Sequence, residues 1–249
     1  RFFFRFPVAR VKTFWPASIF LGPVLQTLVF SAIAWPIAAL VPQAPSRLDT
    51  FAGMVGLALM TGLFHEDGFA DTADSLGVSK FDASEKTLDR IHAAMKDSRV
   101  GSFGATAISL LWIERALVCF AWHFTWTAMA WAIFASRSLA FAMAYVLGRM
   151  EQPGQARRSG HLMHRIGKGS FVTFVACSIF IVAGAWLPFE LSALDVRLVM
   201  LLPTAFFGML FLWAVTRRSE GLSGDLIGAC VCFCEIVYCL FCVVFAKNP

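Results

Sequence analysis

Charge is what this chain has least of. Asp, Glu, Lys and Arg make up only 15% of its 249 residues, where a soluble globular domain carries about a quarter. That shortage excludes an ordinary soluble fold. In its place 58% of the residues are hydrophobic, 26 are Phe and 8 are Trp, and the mean hydropathy is +0.70. Basic residues form no run and no RNA-binding signature is present, so the net charge of +5 reads as membrane topology. No nucleic-acid partner is expected; lipids are. There is no convincing internal repeat. Arg1 stands in place of an initiating Met, which points to a missing or processed N-terminus, and nothing resembles a cleavable signal.

Cysteine is present but poorly placed for chemistry. Cys230, Cys232, Cys234, Cys239 and Cys242 share the last apolar run, with Cys119 and Cys177 elsewhere. The C-x-C-x-C spacing imitates a ligand set, yet on a helix these side chains point in different directions. In lipid a thiol behaves as a small apolar residue. Neither zinc nor disulfides are expected.

Seven apolar runs follow one another: Ile19–Val41, Phe51–Phe64, Phe103–Ala121, Phe124–Leu147, Phe171–Pro188, Val196–Val215 and Leu226–Phe245. Most reach the ~20 residues that cross a bilayer. The second is short and spans only if its helix continues past Phe64 into the polar residues beyond. A tight turn is expected near Trp122-His123, because Phe103–Leu147 is too long for one span. Arg and Lys gather before the first run and between runs two and three, four and five, and six and seven. The expected fold is therefore all-α: a polytopic membrane helix bundle of about seven transmembrane helices, one domain over residues 1–249, N-terminus cytoplasmic.

The residues after the second run carry the chemistry. Asp67, Asp71 and Asp74 fall at i, i+4 and i+7, which puts three carboxylates on one helical face. Like charges so placed call for a cation, and an oxygen-only set favours Mg²⁺ or Mn²⁺ over zinc. At a membrane edge this suggests metal-assisted chemistry on a phosphate-bearing substrate. His65 precedes the set. Met95-Lys96-Asp97-Ser98-Arg99, with Gly101 and Gly104, supplies cations and a helix start suited to phosphate. Asp225, after Ser223-Gly224, opens the last run and either extends the carboxylate set or is only a helix-start acid. Inside the apolar runs lie Glu114, Arg115, Arg137 and Glu235. Such residues are usually paired or functional: Arg137 either neutralises Glu235 or Glu114, or faces a polar substrate cavity shared with Asp67.

Taken together, these blocks resemble one family. His65-x-Asp67-Gly68-x-Ala70-Asp71-Thr72-x-Asp74, then Met95-Lys96-Asp97-Ser98-Arg99-x-Gly101-x-x-Gly104, then Ser223-Gly224-Asp225-x-x-Gly228-Ala229 with Glu235, look like the cobalamin synthase family, adenosylcobinamide-GDP ribazoletransferase. Arg5-Phe6-Pro7 and Ser136-Arg137 extend the likeness over nearly the whole chain. Four features depart from the pattern. Glu66 stands where the family usually carries an apolar residue, and Cys232 where an acid is expected. Ser223 replaces the customary Thr, and the first span lacks the usual Phe-Pro-x-x-Gly.

The resemblance implies transfer of phosphocobinamide from adenosylcobinamide-GDP to α-ribazole or its 5′-phosphate, with release of GMP. It implies a multi-pass enzyme of the bacterial cytoplasmic (inner) membrane and leaves room for a homo-oligomer. Mg²⁺ would be held by Asp67, Asp71, Asp74 and Asp225. Arg5, Lys96, Asp97, Arg99, Arg137, Ser223 and Glu235 would bind substrate. Either His65 or an Asp would take the proton of the attacking hydroxyl. Two other readings compete: a CDP-alcohol phosphotransferase-type lipid enzyme, whose acidic motif has different spacing and an internal Arg, and a transporter built around the intramembrane charges.

Overall fold

The computed structural model describes residues 21–41, 47–81, 91, 99–150, 163, 166–184, 199–219 and 221–245. These form eight helices: α1 (Gly22–Leu40), α2 (Leu48–Thr61), α3 (Phe64–Phe81), α4 (Ser102–Phe120), α5 (Trp126–Met150), α6 (Lys168–Gly184), α7 (Leu201–Ser219) and α8 (Gly224–Phe245). No strand occurs among the described residues. Each expected apolar run contains one helix. Four of them, α1, α4, α5 and α8, are long and apolar enough to cross a membrane, and α2 with α3 add a fifth if the bent pair is counted as one span. α6 covers 17 residues and α7 ends on Arg217 and Arg218.

The expected continuation of the second run into the acidic residues is corrected at one point. α2 does not run straight on. Gly62 and Leu63 both adopt left-handed backbone (φ 66° and 58°), and the amide of Leu63 donates to the carbonyl of Ala58 at 2.8 Å. This six-residue closure is how a helix stops on a glycine. The carbonyl of Leu63 then accepts from Asp67 at 2.8 Å, so α3 starts at once in a new direction, 81° from α2.

α5 and α8 form the centre. Their inner faces contribute Ile133, Ala140, Ala144, Cys230, Cys234, Tyr238 and Cys242 to two apolar clusters, one with α7 and one with α1, α2 and α4. Outward faces of the peripheral helices expose Leu28, Trp35, Leu110, Ile113, Phe206 and Leu210, as a lipid-facing surface does. The turn expected near Trp122-His123 is present, with His123 at φ 55°. There Arg47 donates its Nε to the carbonyl of His123 at 3.1 Å, fixing the start of α2 at that end of the bundle. The starts of α4 and α8 and the ends of α3, α5 and α7 gather at the opposite end. Arg149, Arg217 and Arg218 lie in last helical turns there.

Candidate active site at the carboxylate end of the bundle

Two glycines let α3 lie directly on α8. A Cβ on Gly68 would come within 2.5 Å of the Asp225 carbonyl oxygen and 2.9 Å of its Cα, and one on Gly228 would stand 3.3 Å from the Cα of His65. His65 opposite Gly228 and Gly68 opposite Asp225 make the two helices antiparallel. The contact is backbone against backbone, so the carboxylates beside it are held on stiff elements. Asp67 is exposed, and Asp71 and Asp225 are half-buried. Asp71 carries the negative charge of Asp67, Asp225 and Asp74 around it. Ser223 caps α8 by accepting the amide of Leu226 at 3.2 Å, and Asp225 sits in that helix's first turn.

The donor set suits a hard cation. It is made of carboxylate oxygens, with the like charges of Asp67, Asp225 and Asp74 acting on Asp71. Asp71 lies within electrostatic reach of both Asp67 and Asp225, but among the described residues no three His, Cys, Asp or Glu side chains stand at metal-holding spacing. Asp74, within electrostatic reach of Asp71 on the same stripe, also bonds the start of α4. Its Oδ2 accepts the amide of Gly101 and its Oδ1 that of Gly104, both at 2.8 Å. Arg99, two residues before Gly101, is exposed. Arg5, Lys96 and Asp97 lie outside the described residues.

Arg137 and Glu235 are not on this face. Both are almost fully buried and bonded to each other, the first of the two alternatives for Arg137. Glu235 accepts Arg115 on its other oxygen at 2.8 Å, and Arg115 reaches Glu66 at 2.7 Å. Arg137 also donates to Gln26 at 3.0 Å and to Ser136 at 2.9 Å. Two arginines and two glutamates thus pair, tying α1, α3, α4, α5 and α8 together. Arg137 and Glu235, two of the intramembrane charges behind the transporter reading, are engaged in this way, while Glu114 keeps a buried Oε1 without a hydrogen-bond partner. Beside the paired charges lies a small internal cavity lined by Thr61, His65, Glu66, Arg115, Arg137 and Glu235. His65 is 4% exposed and belongs to this interior rather than to the carboxylate face.

Glu66, Arg115 and Gln26 were not among the expected site residues. Glu66 was visible as a departure from the family pattern, and Gln26 as a lone amide in an apolar run. The departures at Glu66 and Cys232 meet in space. Cys232 is fully buried within electrostatic reach of Glu66, Arg115, Glu235 and Arg137.

A helical membrane protein with a glycine-packed, carboxylate-bearing helix pair at one end is what the fold and the site define. The family model for Cobalamin-5-phosphate synthase matches residues 1–243, and the chain belongs to that family. An adenosylcobinamide-GDP ribazoletransferase of Klebsiella pneumoniae (strain 342) is 30% identical over 217 residues, covering 87% of this chain and 83% of that one. One from Rhizobium johnstonii is 32% identical over 242 residues, covering 89% and 88%. Another, from a Polaromonas species, is 29% identical over 96% of this chain and 93% of its own. No solved structure matches the chain.

Proposed function

We propose that this chain is an adenosylcobinamide-GDP ribazoletransferase. It transfers the phosphocobinamide group to the hydroxyl of α-ribazole or its 5′-phosphate and releases GMP. Family membership over residues 1–243 supports the reaction. The observation that carries its placement is the α3–α8 contact, which sets Asp67 and Asp71 beside Asp225. These three carboxylates would hold Mg²⁺ once their side chains draw closer than they stand here. When bound, the ion would offset the charge of the pyrophosphate and of the departing GMP.

The chain's own residues do the rest. Gly68 and Gly228 keep α3 against α8, so the backbones that carry the carboxylates do not have to be ordered when substrate arrives. Arg99 would meet a phosphate, with Lys96 from the same motif and Arg5 from the start of the chain as further cations. Asp97 would complete that polar segment. The proton of the attacking hydroxyl goes to a carboxylate of this face, because the ring of His65 is buried beside Glu66 and Arg115. Arg137 and Glu235 act from the interior by fixing the helices.

The carboxylate end faces the cytoplasm of a bacterial inner membrane, with seven spans and the N-terminus inside. The basic residues at that end, Arg149, Arg217 and Arg218 among them, support this orientation. Purified protein in detergent, given adenosylcobinamide-GDP, α-ribazole and Mg²⁺, should yield GMP and the joined corrinoid in equal amounts by mass spectrometry. GMP without the joined product would point to a hydrolase instead.

A further inference from the structure

α4 begins Gly101-Ser102-Phe103-Gly104 and has no cap of its own: Gly101, at the N-cap position, makes no side-chain cap hydrogen bond. A capping box normally satisfies two amides at such a start, that of the N-cap residue and that of the third helical residue. Those positions here are Gly101 and Gly104, and neither has a side chain to offer. One carboxylate from another helix takes both amides, since Asp74 of α3 accepts Gly101 on Oδ2 and Gly104 on Oδ1, each at 2.8 Å. The glycines are what make room. A Cβ on Gly101 or on Gly104 would collide with the Asp74 carboxylate, and one on Gly104 would also press the Ala70 carbonyl at 3.1 Å. The negative charge sits where the helix dipole of α4 favours it.

We propose that Asp74 is a positioning residue, the cap of α4 supplied from α3, and not a metal ligand. The stripe Asp67, Asp71 and Asp74 then divides by role. Asp71 stands within electrostatic reach of Asp67 and Asp225, and Asp74 fixes the entry of α4. Because Arg99 lies two residues before Gly101, that cap also fixes the backbone just after Arg99. This assignment rests on the proposed reaction for its consequence, but not for its geometry.

The test uses the full chain in detergent, with Mn²⁺ alone as the metal probe, followed by electron paramagnetic resonance. Amide hydrogen exchange over residues 99–106 is the second readout. Asp74→Asn should exchange these amides about tenfold faster or more while Mn²⁺ affinity stays as in the unaltered protein. Asp71→Asn should do the reverse. Gly104→Ala, which pushes the carboxylate off the amides without touching it chemically, should copy Asp74→Asn and covers the case in which that variant does not fold. In turnover, both cap variants should raise KM for adenosylcobinamide-GDP more than they lower kcat. Lost Mn²⁺ binding in Asp74→Asn overturns the proposal, and so does unchanged exchange over 99–106. If the unaltered protein binds no Mn²⁺, the metal reading fails while the exchange result still decides the cap.

Discussion

Glu66 and Arg115 meet at 2.7 Å inside the bundle, joining α3 to α4 one residue before the exposed Asp67. The same arginine holds Glu235 of α8 at 2.8 Å. Removing one partner of a buried pair strands the other charge and costs about 3–5 kcal/mol, whereas replacing both can be nearly neutral. Glu66→Leu and Arg115→Met should each lower the melting temperature of the detergent-solubilised protein. The double variant leaves Arg137 opposite Glu235 and should recover most of the loss. A double variant less stable than either single would show that the pair is not what holds α3.

Gly68 and Gly228 should differ in how much they tolerate. At Gly68 the added methyl meets the Asp225 backbone, which cannot swing away. At Gly228 the nearest atom is 3.3 Å off, and a shift of a few tenths of an ångström suffices. Gly68→Ala should therefore lose about a hundredfold in turnover, the scale expected when reacting groups are displaced by about 1 Å. Gly228→Ala should stay close to the unaltered enzyme. Equal effects in a steady-state assay, at equal yields of inserted protein, would mean that the helix contact does not set the site.

Sidedness can be read by labelling. A Cβ on Gly169 meets nothing within 4 Å, and Thr127 is exposed near the start of α5 at the other end of the bundle. In a cysteine-free background, Gly169→Cys should react with a membrane-impermeant maleimide only when the cytoplasmic face is open. Thr127→Cys should react from outside in intact cells. Reaction of Gly169→Cys in intact cells would invert the proposed orientation.

Much of this fold is legible in apolar run length. Every run contains a helix, and the turn near Trp122-His123 is forced because Phe103–Leu147 cannot be one span. The break after α2 is not legible. Gly62 alone is weak punctuation, and Leu63 is a residue that seldom adopts left-handed backbone. Helical periodicity sets Asp67, Asp71 and Asp74 along one stripe but cannot show that the start of α4 arrives at Asp74. The pairing of Arg115 is equally hidden, because spacing along one helix carries no information about which helix faces it.

The central claim is that the carboxylates at the α3–α8 contact are the reaction centre. Single-turnover GMP release by Asp71→Asn, on protein shown to be folded and membrane-inserted, tests it most directly. The account predicts no release above the level of the unaltered enzyme in excess EDTA, with adenosylcobinamide-GDP and α-ribazole saturating and Mg²⁺ present. GMP release at the unaltered rate would contradict it and move the chemistry away from this face.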